Sequence, residues 1–417
     1  MSDWKEYRLG EIIDVRDGTH DSPKKKGIGK PLVTSKHIKG GKIDLSTAYF
    51  ISIDDFDKIN KRSKVDKWDV LFSMIGTIGE TAIIKEEPDF AIKNVGLFKA
   101  KDEYTAKWIY YFFKSPQAQS EILSSLKGST QQYISLTDLR NFPIIYPPIR
   151  VGWEIVQILS SLDDKIELNN KINLDLENLA QTLFKQWFID YEFPNENGEP
   201  YKSSGGEMVD SELGEIPKGW VVIPISDVFD FLSGYPFKGE SFSKSGNYGI
   251  VTIKNVQDGK FVQDTDNFID DLPNKFPKNA ILNIGDILMS LTGNVGRVCF
   301  VTKENCVLNQ RVVKFKGKQE NSNAFWYYFF RQTLVKELLI SISKGTAQLN
   351  LSPIETKSLK FVLPKLINEN LLASFTEIFN FEVACSIENI ELTTLRDTLL
   401  PKLISGELEV SQIKTTS

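Results

Sequence analysis

Two stretches of the chain, about residues 149–190 and 365–405, are nearly free of Gly and Pro and repeat their apolar positions at steps of four and three. In the first, Ile155, Leu159, Leu162, Ile166, Leu176, Ala180, Leu183 and Trp187 fall on this spacing, and Asn169 and Asn173 fill two intervening steps. In the second, Leu371, Phe375, Ile378, Cys385, Leu392, Leu399 and Leu403 do the same, interrupted by Glu382, Asn389 and Arg396. This is a heptad seam, which buries one side of a helix along its length. A helix of ~40 residues is ~60 Å long, more than is needed to cover one sheet. An ordinary core-facing helix would show the same stripe. Two matched stripes in one chain can bury one another, however, and polar residues in a seam fix register. The pattern favours an intramolecular coiled coil, with Pro401 ending or kinking the second helix. The remaining stretches mix short β-rich runs (82–84, 250–253 and 298–301) with Gly and Asn turn signals and one aromatic helix each, which reads as α+β.

The chain repeats itself. Asp69-Val-Leu-Phe-Ser-Met-Ile-Gly76-Thr-Ile-Gly79 matches Asp286-Ile-Leu-Met-Ser-Leu-Thr-Gly293-Asn-Val-Gly296 at a displacement of 286 − 69 = 217. Tyr110-Tyr111-Phe112-Phe113 returns as Tyr327-Tyr328-Phe329-Phe330, and Gly128-Ser129-Thr130-Gln131 as Gly345-Thr346-Ala347-Gln348. Ser135 falls on Ser352 and Pro147 on Pro364, while Trp4 and Trp220 are 216 apart. An internal repeat of this length changes the reading of the whole chain. The expected organisation is a first globular domain over 1–148, a helical spacer over 149–192 and a linker over 193–218. A second globular domain over 219–364, a helical spacer over 365–410 and a tail over 411–417 follow. If a pseudo-twofold axis relates the halves, the two helices run antiparallel with a globular domain at each end.

Composition narrows the function by subtraction. Of 417 residues 41% are hydrophobic and 25% charged, ordinary values for a globular chain. No run approaches the ~20 apolar residues of a membrane span, and the start Met1-Ser2-Asp3-Trp4-Lys5-Glu6 lacks a secretory pattern, so a soluble cytoplasmic protein is expected. Cys299, Cys306 and Cys385 have no metal or redox spacing and read as buried small hydrophobes. The balance of 50 Lys and Arg against 55 Asp and Glu, net −5, provides no general basic field, so a polyanion site has to be local.

There is no GxxxxGK[ST] loop, no GxGxxG with a following acid and no GxSxG elbow. Tyr146-Pro147-Pro148-Ile149 lacks the leading Asn or Asp that an amino-methyltransferase uses, and Pro88-Asp89 lacks the acidic-x-Lys element of a magnesium nuclease. With only His20 and His37 as imidazoles, neither catalysis nor a metal or cofactor is expected in this chain.

The residues that remain suit a reader of DNA. The first half carries Thr19 and His20, the run Lys24, Lys25 and Lys26, then Ser35, Lys36 and His37, and later Lys93 and Asn94. The second carries Tyr235 and Lys238, Lys254 and Asn255, and Asn309, Gln310 and Arg311. Lysines suit phosphates, whereas Arg, Asn and Gln can bond guanine or adenine through two hydrogen bonds. Ser129, Gln131, Gln132 and Tyr133, and their counterparts Thr346, Gln348 and Asn350, follow the repeated glycine. Thr77 and Asn294 sit inside the Gly-x-x-Gly turns. Each cluster also has a plainer reading: a lysine triplet as a solvated turn, Asn-Gln-Arg as a strand edge, and paired glycines as a tight turn. Recurrence at equivalent places in both halves favours the functional one. Tyr110–Phe113 and Tyr327–Phe330 read as core packing.

Particular stretches carry a family likeness: Trp4 with Leu9-Gly10-Glu11-Ile12, then Leu183-Phe-Lys-Gln-Trp-Phe-Ile-Asp-Tyr-Glu192. The entry Leu213-Gly-Glu-Ile-Pro-Lys-Gly-Trp220 and the ending Leu399-Leu-Pro-Lys-Leu-Ile-Ser-Gly-Glu-Leu408 complete it. Over essentially its whole length the chain resembles the specificity subunit of a type I restriction-modification system. The resemblance implies two α/β target-recognition domains related by an internal pseudo-twofold repeat and separated by two long antiparallel coiled-coil helices. Each domain would read one half of a bipartite, asymmetric site in double-stranded DNA. The helices, with a seam at Ile155, Leu159, Leu162, Ile166, Asn169, Leu176, Leu183, Leu371, Phe375, Ile378, Leu392 and Leu399, would set the half-site spacing and dock two methyltransferase subunits.

The resemblance also implies restriction and translocase subunits as partners, with S-adenosylmethionine, ATP and magnesium held on partner chains, no membrane, and weak DNA binding by this chain alone. Two other readings stay open. One is the recognition subunit of a fused nuclease-methyltransferase. The other is a duplicated scaffold for peptides or sugars, which would lack strongly salt-dependent sequence-specific DNA binding. Methyl transfer by the purified chain alone would make it an enzyme.

Overall fold

Each heptad stripe forms one long helix, Ile149–Phe184 and Glu369–Ile404, of 36 residues apiece. The computed structural model describes residues 3–239, 242–345, 349–352 and 356–414. Pro401 does not end the second helix, which runs on to Ile404. A single π-turn, Lys185–Ile189, closes the first. The chain divides into two compact units, Met1–Ile166 with Glu391–Ser417, and Glu167–Ile390, so that each unit takes part of both helices.

In the first unit the helical segments run antiparallel. Ile155, Val156 and Leu159 share a core with Leu400, Leu403 and Ile404. One step further along, Arg396 Nη1 donates to Asp163 Oδ1 at 2.6 Å. The second unit has the same polarity. Asn169, wholly buried, donates from Nδ2 to Glu388 Oε2 at 2.7 Å and Asn389 Oδ1 at 3.0 Å. Asn173 reaches Ser386 Oγ at 3.1 Å, and Ala180 and Phe184 pack among Leu371, Leu372 and Phe375. Leu162, Ile166, Leu176, Leu183, Ile378, Leu392 and Leu399 are half-buried, as expected of a two-helix seam with solvent on both flanks.

The globular part of the first unit is built on a four-stranded antiparallel sheet in the order Asp14–Asp17, Val95–Lys99, Val70–Ser73, Thr81–Ile83. Successive side chains on a strand point to opposite faces, and both faces here are covered. Val70, Phe72 and Phe98 join the core of the aromatic helix Glu103–Lys114. Leu71, Leu97 and Ala82 join a second core with Val33 and Ile92 of a smaller sheet. That sheet, ordered Tyr49–Ile51, Lys30–Val33, Ala91–Ile92, has one parallel pair, Lys30–Val33 with Ala91–Ile92. Strands Lys5–Arg8 and Pro143–Tyr146 pair antiparallel and bring the two ends of the domain together.

The second unit repeats this plan. Its four-stranded sheet runs Phe229–Ser233, Val312–Gly317, Ile287–Ser290, Val298–Phe300, under the aromatic helix Asn323–Arg331. The parallel pair recurs as Tyr248–Val251 with Cys306–Leu308, and the closing pair as Trp220–Pro224 with Lys360–Pro364. The tyrosines and phenylalanines of both aromatic helices are buried, as are all three cysteines. Residues 193–218 carry a hairpin, Met208–Ser211 with Gly214–Pro217, and a stack of rings. Phe193 lies 5.0 Å from Trp220 at 20° and 4.6 Å from Tyr201 at 18°. Among the described residues no helix is long and apolar enough to cross a membrane.

Candidate nucleic-acid interface

Register decides which loops meet. In the first unit Asp17 pairs with Gly96 and Ser73 with Val95, so three segments leave the four-stranded sheet at one end. They are 18–22, 93–94 and 74–79. The parallel pair brings a fourth, because Val33 pairs with Ile92 and is followed by the turn Ser35–His37. The loops interlock through their backbones: Gly18 N donates to Val95 O at 2.9 Å, Thr19 N to Ile92 O at 3.0 Å and Asn94 N to Thr19 O at 3.2 Å. A Cβ on Gly18 would stand 2.5 Å from the Ile92 carbonyl oxygen, closer than any side chain tolerates, so glycine permits this approach.

The side chains on this rim are held in place. The two ring nitrogens of exposed His20 lie 2.8 Å from Asn94 Oδ1 and 2.9 Å from Asp17 Oδ2. Asp17 is buried and also receives the Arg62 guanidinium from the helix Ile53–Ser63. Lys93 Nζ donates to Ser22 Oγ, and Ser35 Oγ to Asn94 O at 3.3 Å. Lys24, Lys25 and Lys26 are exposed on the segment that follows, with Lys26 N tied to Phe50 O at 2.8 Å, and Lys36 is exposed on the short turn Ser35–His37. Arg62 and Asp17 therefore act as supports for His20. No sequence pattern singles out Arg62, which is 45 positions from the aspartate it holds.

A hairpin completes the rim. Lys127 and Tyr133 exchange backbone hydrogen bonds of 2.9 Å, and Tyr133 bridges to Ile75. Ser129, Gln131, Gln132 and Tyr133 are thus exposed beside the turn that carries exposed Thr77.

The second unit builds the same rim with other side chains. Ser233 pairs with Val313 and Ser290 with Val312, Tyr235 bridges Asn309, and Lys344 and Asn350 close the hairpin against Thr292. Thr346 and Gln348 lie outside the described residues. Tyr235, half-buried, packs on Phe237 at 5.0 Å and Phe276 at 5.2 Å where the first unit has Thr19. Lys238 is exposed, and Lys254 Nζ pairs with Asp266 at 2.6 Å. The Asn294 carboxamide faces the Arg297 guanidinium. Gln310 and Arg311 are exposed, with no side-chain hydrogen bond or ion pair among the described residues.

Three expected contacts are corrected: Ser35 is buried with its hydroxyl turned to the Asn94 carbonyl, and His37 and Asn255 are buried as well. His37 is 1% exposed, and its Nδ1 accepts from Thr34 N at 2.8 Å. Burial, then the Lys36 charge, holds its pKa below the usual imidazole value, as suits a neutral acceptor. Asn255 is 2% exposed, accepts from Thr252 N at 2.9 Å and donates to Val262 O and Asp264 O. His37 and Asn255 each cap the corresponding turn of their own unit from inside and present nothing to a base.

The comparisons agree with this duplicated plan. The family described as type I restriction modification DNA specificity domain matches residues 1–178 and again 217–379. The specificity subunit of type I restriction enzyme MjaIX from Methanocaldococcus jannaschii is 28% identical over 429 residues, covering 99% of this chain and 95% of that protein. The HindI specificity subunit from Haemophilus influenzae is 24% identical, covering 98% and 100%. The crystal structure of a type I restriction-modification S subunit from M. genitalium shares the fold, with a TM-score of 0.55, 17% identity and 96% of each chain covered.

Proposed function

The chain belongs to the type I restriction-modification DNA specificity family, and from that premise we propose that it reads a split, asymmetric DNA site with one recognition rim on each unit. The observation that carries the reading is the duplicated rim. The same sheet end and the same interlocked loops occur twice, bearing Thr19, His20, Lys93 and Asn94 in one unit and Tyr235, Pro236, Asn309 and Gln310 in the other. Equal scaffolds with unequal side chains are suited to two half-sites of unequal sequence.

The remaining roles follow from the same premise. Helices of 36 residues rise about 54 Å, and their length would set the gap between the half-sites. Their outer faces would dock two methyltransferase subunits, with restriction subunits joining that core. Methyl donor, ATP and magnesium would be held by those partners, and this chain would contribute recognition without catalysis. Exposed Lys24, Lys25, Lys26 and Lys36 would supply phosphate contacts, so binding should fall steeply as salt rises.

The test is to co-express the chain with its methyltransferase in a methylation-free host and map adenine methylation by long-read sequencing. A split motif with two dissimilar halves is expected. A stable complex that leaves no sequence-specific methylation would remove the recognition role.

A further inference from the structure

The first unit has a groove where the second has a stack of rings. By the displacement that places Leu183 on Leu399, Trp220 corresponds to Trp4 and Phe193 to Glu409. In the second unit Phe193 covers the face of Trp220 at 5.0 Å, and Tyr201 covers Phe193 in turn. In the first unit the corresponding place is an open cavity of about 300 Å³, lined by Trp4, Pro148, Val151, Ile155, Leu408 and Val410. Asp3, Glu154 and Glu409 line it as well. It continues, through Asp3 and Pro148, into a second cavity of about 650 Å³ beside Tyr7 and Tyr146.

We propose that this groove receives an aromatic side chain flanked by a lysine or arginine, presented by the methyltransferase subunit. The inference rests on the specificity-subunit reading above. The duplicated fold indicates the shape of the occupant: in the unit where the chain supplies its own filling, that filling is a ring lying flat on the tryptophan. The lining indicates the charge, because three carboxylates border an apolar floor that an aromatic side chain would dehydrate. The volume admits such a side chain with room for its neighbours. A ring buried in a pocket of this kind anchors an interface out of proportion to its area.

The experiment uses the full chain and the methyltransferase encoded with it. Glu409→Phe fills the groove from within, as Phe193 does in the other unit, and Glu409→Lys reverses the charge at its edge. Both variants should weaken the association on the order of tenfold to a hundredfold. Their thermal midpoints should stay at or above that of the parent, which separates lost docking from lost folding. Parent-like affinity in both variants overturns the groove proposal and leaves the specificity role standing. Failure of the parent to bind the methyltransferase overturns the specificity-subunit reading and the occupant with it. A change in the chain's own oligomeric state with unaltered methyltransferase affinity would assign the groove to a second copy, and so contradict the proposal.

Discussion

The Arg311 side chain makes no hydrogen bond or ion pair among the described residues, and the first unit has no arginine there: by strand register Val95 answers to Val312, and the residue before it is Asn94. An exposed guanidinium at the sheet end can meet guanine O6 and N7 together, an interaction worth about 1–3 kcal/mol of discrimination. Arg311→Ala should therefore relax one position of one half-site in the methylation motif and leave the other half untouched. An equal loss of methylation at every site, with the motif intact, would make Arg311 a phosphate contact instead.

Gly18 and its counterpart Gly234 carry the opposite kind of role, since each lets one loop lie against the next backbone. Gly18→Ala should cost about 1–3 kcal/mol in chemical denaturation, because the contact is with backbone that cannot swing away. A neutral result would show that the rim is looser than its geometry.

Legibility at this scale was uneven. Lys24, Lys25, Lys26, Lys36, Gln310 and Arg311 are exposed, as their residue types suggest. His37 and Asn255 could not be separated from them, because capping a turn and bonding a base call on the same polar groups.

The long helices and the recognition domains are joined by buried polar groups. In the second unit Tyr328 on the aromatic helix donates to Glu382 Oε1 at 2.8 Å, and Glu382 occupies a seam position at 3% exposure. Arg331 from the same aromatic helix reaches Glu177 and Asp258. The first unit makes an analogous tie, from Tyr111 to Asp163 at 2.8 Å, with Arg396 on the same carboxylate.

Burial pushes the Glu382 pKa up to about 7; the Tyr328 hydroxyl and Arg331 oppose the rise, and Glu177 adds to it. A raised carboxyl favours the folded state below its unfolded value and loses that advantage as pH climbs through the folded one. The second unit should therefore lose stability between about pH 5 and 8. Glu382→Gln, which keeps an acceptor for Tyr328 without the charge, should be more stable than the parent at pH 8 by roughly 1–3 kcal/mol and equal to it near pH 5. Melting curves across that range decide the matter, and a variant less stable at pH 8 would contradict this account. The heptads marked Glu382, Asn389 and Arg396 as interruptions of the stripe. Their partners on the aromatic helix and the opposite long helix were invisible, because periodicity identifies a seam position without saying what faces it.

At the scale of the whole molecule the repeat was the most legible feature, since a constant displacement survives even where individual residues differ. It fixed the matching of the two units and the polarity of the helices. The convergence of four separate loops on one sheet end was not legible, because it depends on strand register and on the parallel pair, and no local pattern encodes either. Phe193 and Tyr201, in a stretch that read as a linker, were missed for a similar reason: their stack forms only when Trp220 folds back on them.

On the proposed reading, each unit recognises its own half of one DNA site. The most direct test exchanges residues 1–148 for the corresponding domain of another family member and maps methylation before and after. One half of the motif should change while the other half and the gap between them stay as they were. A motif that is unchanged, or altered in both halves at once, would contradict it.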